Sequence, residues 1–145
     1  MGAGFMQRRI LVAEDSAALA AVIRMNLTHA GLAVTVARDG GEAWQHLQAS
    51  TFHLLLTDQQ MPVMEGSELC QRMSGDPRHA GMPALMLTGK GLELKLDTLR
   101  KYGVRELIAK PFSPRELVQT VLSYLPATEG TLPASPAAMQ ALLVD

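Results

Sequence analysis

Five short apolar runs, each separated from the next by enough chain for one helix, constrain this sequence more than any other feature. They are Arg9 to Ala13, Leu32 to Ala37, Leu54 to Asp58, Ala84 to Leu87 and Glu106 to Ala109. A continuous apolar run of this length marks a strand buried on both faces, the kind found in parallel sheets sandwiched between helices. The stretches between them follow the helical period. Leu19, Val22, Ile23, Leu27 and Ala30 recur at helical spacing before Gly31, a good helix stop. Asp39 is placed to cap a helix over Gly41 to Ala49, with Ala43, Leu47 and Trp44 facing inward. Ser67 to Met73 buries Leu69, Cys70 and Met73 in a third. Leu92, Leu96, Leu99 and Tyr102 line a fourth, closed by Gly103. Ser113-Pro114-Arg115-Glu116 is a capping box for a fifth, whose stripe is Leu117, Val118, Val121, Leu122 and Leu125. Residues 74–83 read as plain connector.

Strict alternation of strand and helix predicts an α/β fold, a doubly wound (βα)5 parallel sheet with helices on both faces. Right-handed crossovers leave few topologies, and the flavodoxin-like order 2-1-3-4-5 is the expected one. The domain is expected over residues 8–125, with 1–7 an N-terminal extension in which Met6 is an alternative start. After Pro126 the composition turns to Pro, Ala, Thr, Ser and Gly, so residues 126–145 read as a flexible tail or linker.

Several function classes fall away on composition. Thirteen basic residues against fourteen acidic give a net charge of −1, which removes the electrostatic case for direct nucleic-acid binding. No apolar run is long enough for a membrane span, and Met1 to Arg9 has no signal-peptide core. Cys70 stands alone, so no internal disulfide forms and the chain fits a reducing compartment. A cytoplasmic protein is expected. Gly2-Ala3-Gly4 precedes the first strand, so it is no dinucleotide fingerprint, and Gly89-Lys90-Gly91 lacks the other residues of a P-loop. His29, His46, His53 and His79 are scattered and read as exposed or packed.

The carboxyl ends of parallel strands are where chemistry collects. Asp58 by itself is a turn-forming acid, followed by Pro62 and Gly66, which enforce a loop. In the expected strand order, however, it meets Glu14 and Asp15 from strand one, Thr88 from strand four and Lys110 from strand five. Three neighbouring carboxylates repel one another, and a hard divalent cation relieves that repulsion. A lysine opposite them can hold a phosphoryl oxygen. The set suits transfer of a phosphoryl group to a carboxylate nucleophile.

These residues resemble those of the two-component response-regulator receiver domain. The resemblance covers about Arg8 to Leu125 and rests on Glu14-Asp15, on Asp58 in Asp-x-x-Met-Pro-x-Met-x-Gly, on Thr88 and on Lys110-Pro111-Phe112. It implies that Asp58 is the phosphoacceptor, with Mg²⁺ (or Mn²⁺) held by Glu14, Asp15, Asp58 and the backbone carbonyl of Gln60. Thr88 and Lys110 would bind the phosphoryl group and switch with it, and the Lys110-Pro111 bond would be cis. Gln60 and Lys90 occupy the variable positions that tune phosphoryl lifetime. The donor would be a histidine kinase or histidine phosphotransfer protein, and a downstream protein target would read the face made by helix four, strand five and helix five. Such a chain is no conventional enzyme, although it catalyses its own Mg²⁺-dependent phosphorylation and dephosphorylation. It would act as a monomer or weak dimer.

The chain departs from the family pattern at Leu107, where an aromatic switch residue is usual, and at Gly89, where alanine is usual. Three other readings compete. The chain could be a receiver cut from a larger hybrid kinase or regulator, with 126–145 as linker. It could be a non-phosphorylated pseudo-receiver scaffold, which needs none of the five site residues. An FMN carrier would require a Ser/Thr/Gly-rich phosphate loop where Glu14 and Asp15 stand.

Overall fold

Leu54–Asp58 is buried at every position, so this strand must have a partner strand on each edge and a helix layer on each face. The computed structural model of the chain describes residues 7–89 and 94–125. Its strands are β1 (Arg9–Ala13), β2 (Ala33–Ala37), β3 (Leu54–Asp58), β4 (Ala84–Thr88) and β5 (Val104–Ala109). They form one parallel sheet in the expected order, β2-β1-β3-β4-β5. In register, Val12 lies opposite Leu56, and Leu56 opposite Leu85.

Side chains alternate across each strand and divide the core into two layers. Ile10, Val12, Leu54, Leu56, Leu85 and Leu87 pack against α1 (Ala17–His29) and α5 (Pro114–Ser123). Leu11, Leu55 and Met86 pack on the other face, against α2 (Gly40–Ala49), α3 (Gly66–Ser74) and α4 (Leu96–Arg100). Side chains fix three helix starts, two of them, at Asp39 and Ser113, as the sequence implies. The hydroxyl of Ser16 accepts from Leu19 N at 3.2 Å, Asp39 Oδ1 accepts from Glu42 N at 2.7 Å, and the Ser113 hydroxyl accepts from Glu116 N at 3.2 Å. Each such cap is worth about 1 kcal/mol.

Four local expectations change. Val22 is exposed rather than in the core, because the inward stripe of α1 is Ala20, Ile23 and Leu27. Segment 74–83 is more than a connector. Pro77–His79 forms a 3₁₀ turn capped by Asp76, and it buries His79 with a ring nitrogen 2.7 Å from Leu47 O. Strand five begins earlier, at Val104, because Val104 pairs with Ala84 while Glu106 pairs with Leu85, leaving Arg105 as an extra residue. Finally, α4 is a short helix in which Leu99 is buried and Leu96 packs beside it. Tyr102 follows in the turn, Gly103 closes it at φ +89°, and Leu92 lies outside the described residues.

Cys70 is fully enclosed, and burial pushes its thiol up to about 12, so it is a core residue without a reactive thiolate. No helix among the described residues is long and apolar enough to cross a membrane.

The loop from β3 to α3 carries one backbone conformation of note. Val63 has φ 71°, in the left-handed region that a β-branched residue rarely adopts. Its side chain is 80% exposed, so little burial offsets the strain. Relieving a left-handed L-residue is worth about 1 kcal/mol, so Val63→Asn is expected to raise the unfolding midpoint. A denaturant titration showing equal or lower stability for that variant would refute the strained geometry.

Candidate functional site

The carboxyl edge of the sheet is built from the last residues of four strands. The Glu14 amide donates to Ala37 O at 3.0 Å, extending the β1–β2 ladder by one residue and turning the side chain of Glu14 inside. Glu14 is only 1% exposed, and its Oε2 accepts from Ser16 N at 3.0 Å. Ser16 thus caps α1 with its hydroxyl and holds Glu14 with its amide. Asp15 is exposed beside it. Asp58 ends β3 at 4% exposure, in register with Leu87, and the next amide, Gln59 N, donates to Leu87 O at 3.1 Å. Thr88 is half-buried at the end of β4, opposite Ala109. Lys110 follows directly, and its amide donates to Thr88 O at 2.9 Å. The Lys110–Pro111 peptide bond is cis.

This edge brings the predicted charges together. Lys110 Nζ donates to Asp58 Oδ2 at 2.7 Å and lies 3.3 Å from Glu14 Oε1. One oxygen each of Glu14, Asp15 and Asp58 lie within 4.8 Å of one another. Burial pushes the Glu14 carboxyl above its ordinary value and the charge of Asp58 adds to this, while the Ser16 amide and Lys110 pull it down. Burial likewise pulls Lys110 down, but its hydrogen bond to Asp58 and the charges of Asp58 and Glu14 outweigh that, so it ends above its usual value. The ammonium therefore stays charged between the two acids.

The donor set fits a hard cation. Glu14 Oε1 is enclosed without a hydrogen-bond partner, although it stands next to two other carboxylates. A buried oxygen left in that state costs free energy, and a divalent ion satisfies it with the all-oxygen ligation such ions require. Lys110 alone covers part of the negative charge.

The remaining predicted residues divide clearly. Gln60 is exposed on the loop after Asp58. Leu107 is half-buried and packs against the core under α2, α3 and α4, opposite Met86. Lys90 lies outside the described residues. Gly66 is fixed by a close approach, since a Cβ there would collide with the carbonyl oxygen of Asp58. Its amide donates to Gln59 O at 3.0 Å.

Sequence reasoning missed Gln59. This side chain is 6% exposed and ties together both ends of the β3–α3 loop. Its Oε1 accepts from Ser67 N at 2.8 Å, and its Nε2 donates to Ser67 Oγ at 3.1 Å and to Glu65 Oε2 at 3.2 Å. Two adjacent glutamines follow Asp58, and nothing local marks which one turns inward. A weak signal lay further on: Glu65 stands at the N-cap of α3 yet makes no side-chain cap, so the first amides needed another acceptor.

The comparisons with known proteins agree with this geometry. The model of the response regulator receiver domain matches residues 10–122. The chemotaxis protein CheY1 of Helicobacter pylori is 35% identical over 111 residues, 75% of this chain and 90% of that one. A CheY-like receiver domain protein from Methanospirillum hungatei superposes with a TM-score of 0.77 at 28% identity, covering 86% of this chain and 98% of that one. The receiver domain of a signal transduction histidine kinase from Syntrophus aciditrophicus superposes with a TM-score of 0.71 at 27% identity, covering 89% and 96%. With its sheet order, its edge of acids and lysine, and a family match spanning most of its length, the chain belongs to the response regulator receiver domain family.

Proposed function

We propose that this receiver takes a phosphoryl group from a phosphohistidine onto Asp58, with Mg²⁺ held at Glu14, Asp15, Asp58 and the carbonyl of Gln60. The observation that carries this reading is the pairing of Asp58 Oδ2 with Lys110 Nζ at 2.7 Å, beside two further carboxylates. A carboxylate oxygen of Asp58 attacks phosphorus in line, the phosphorus–nitrogen bond breaks, and the imidazole leaves with the bonding pair and takes up a proton. Lys110 follows charge from the carboxylate to a phosphoryl oxygen, and the Thr88 hydroxyl donates to another. Bound Mg²⁺ supplies charge neutralisation for the transferring group. Residues 8–125 form the working unit, cytoplasmic and without nucleic-acid contact of its own, and Gln60 and Lys90 set how long the acyl phosphate lasts.

The donor's docking surface follows from α1. This helix starts two residues after Asp15, and its outer face exposes Ala18, Ala21, Val22 and Met25, the last 65% exposed. An apolar stripe left exposed on a helix, here flanked by the exposed Arg24 and Thr28, expects a partner. A helix carrying the phosphohistidine, laid against this face, would bring its imidazole to the site. The likeness to a receiver within a histidine kinase supports a variant of this reading in which 126–145 is a linker in a larger protein.

Three outcomes are expected. With Mg²⁺ and acetyl phosphate, intact mass should rise by one phosphoryl group, and Asp58→Asn should abolish the gain; labelling independent of Asp58 would favour a scaffold. Met25→Glu should slow transfer from a phosphohistidine protein about tenfold or more, a loss of at least about 1.4 kcal/mol, while labelling by acetyl phosphate stays the same. Proton competition gives the third. Because Glu14 titrates above 4.5 when folded, the cation-free protein loses stability as pH rises from 4.5 through the raised value. By the same linkage, Mg²⁺ affinity measured by calorimetry should start to fall at a higher pH than an ordinary carboxylate would give. Glu14→Gln should flatten that part of the profile.

A further inference from the structure

We infer that Gln59 is a positioning residue for the cation pocket, acting through the β3–α3 loop rather than by touching the ion. The inference rests on the phosphoacceptor reading above, since the carbonyl of Gln60 matters only if a cation is bound there. Gln59 follows Asp58 directly, and both its main chain and its side chain close the loop. Its carbonyl accepts from Gly66 N, and its side-chain amide holds Ser67 N, Ser67 Oγ and Glu65 Oε2. Gln60 to Glu65 therefore leave and rejoin the fold at a single residue.

The loop needs such a fastening. Val63 holds φ 71° against its own side chain, a conformation that persists only where the surroundings enforce it. Met61 and Met64 are buried and pin the middle, but flexible thioethers specify a loop poorly. Thr57, also buried, sets its hydroxyl against Met61 Sδ, but Gln59 is the side chain that reaches across to α3, and it supplies the cap that Glu65 does not give that helix. Without it, the Ser67 amide loses its acceptor and Glu65 its donor. The loop would then relax along the strained Val63 and take the Gln60 carbonyl with it. Groups that orient a metal ligand without touching the ion usually cost about tenfold or more in metal affinity when removed.

The test uses Gln59→Met, of similar length and charge but unable to hydrogen-bond, alongside wild type. Mg²⁺ dissociation constants come from calorimetry, and the protection of the Ser67 amide from hydrogen exchange. Gln59→Met is expected to weaken Mg²⁺ about tenfold and to expose the Ser67 amide. The double variant Gln59→Glu with Glu65→Gln exchanges donor and acceptor at constant net charge, and should hold Mg²⁺ within about threefold of wild type. Leu32→Ala, distant in the α1–α5 layer, lowers stability as a control and should leave Mg²⁺ affinity unchanged. If Gln59→Met does not fold, Gln59→Asn, too short to span Glu65 and Ser67 together, carries the same expectation. Equal Mg²⁺ affinity in wild type and either single variant overturns the role of Gln59, as does an equal loss in the control. A wild type that binds no Mg²⁺ and gains no phosphoryl group overturns the phosphoacceptor reading instead.

Discussion

The buried contact of Lys110 with Asp58 and Glu14 is the constraint on which the rest of the structure depends. Two carboxylates enclosed at the end of a sheet would repel each other and resist desolvation, and one ammonium between them makes the edge tolerable. That arrangement requires β1, β3 and β5 to present their ends at one level. Parallel strands in the order β2-β1-β3-β4-β5 meet the requirement, because every strand then points its carboxyl end the same way. Glu14 Oε1 is enclosed with the 3.3 Å ion pair to Lys110 and no hydrogen bond, so the lysine, which it shares with Asp58, does not complete the balance. An edge that is still under-compensated is one prepared to take up positive charge.

Much of this was legible in the sequence, for definite physical reasons. A strand buried on both faces has to be a continuous apolar run, so β1, β3 and β4 announced themselves. Side-chain caps are local, so Asp39 and Ser113 were placed correctly from a few neighbours. The site residues were legible because alternation with right-handed crossovers leaves few strand orders, and the expected one brings their positions to one edge. What escaped depends on long-range packing. Val22 fits a helical stripe on spacing but lies just past its edge, and the 3₁₀ turn at Pro77–His79 is held where its packed histidine reaches Leu47 on another helix. Gln59 escaped for the same reason: its partners Glu65 and Ser67 return to it only after the loop has folded back.

The loop after Asp58 shows how an acidic site can be held without further charge. Its fixed points are two buried methionines, one amide side chain and one glycine against the Asp58 carbonyl. All are neutral, so they set geometry without altering the balance that Lys110 maintains.

Strand β5 faces two ways, and this bears on how a change at Lys110 would spread. Leu107 turns toward α4, where it packs in the same layer as Leu96, Leu99 and Tyr102. Glu106 accepts a hydrogen bond at 2.8 Å from the hydroxyl of Tyr124, which follows α5. Among the described residues, one side of the strand is thus joined to α4 by apolar packing, and the other to the end of α5 by a directional bond. A leucine in place of an aromatic has no flat ring to swing between two pockets, so movement at Leu107 is a matter of sliding within a packed layer. The α4 it packs against is short and lacks a side-chain cap, which makes it the less firmly anchored neighbour. In the proposed phosphoacceptor, a shift of Lys110 toward a phosphoryl oxygen would pull on the end of β5, and the side to yield first would be the one held by packing.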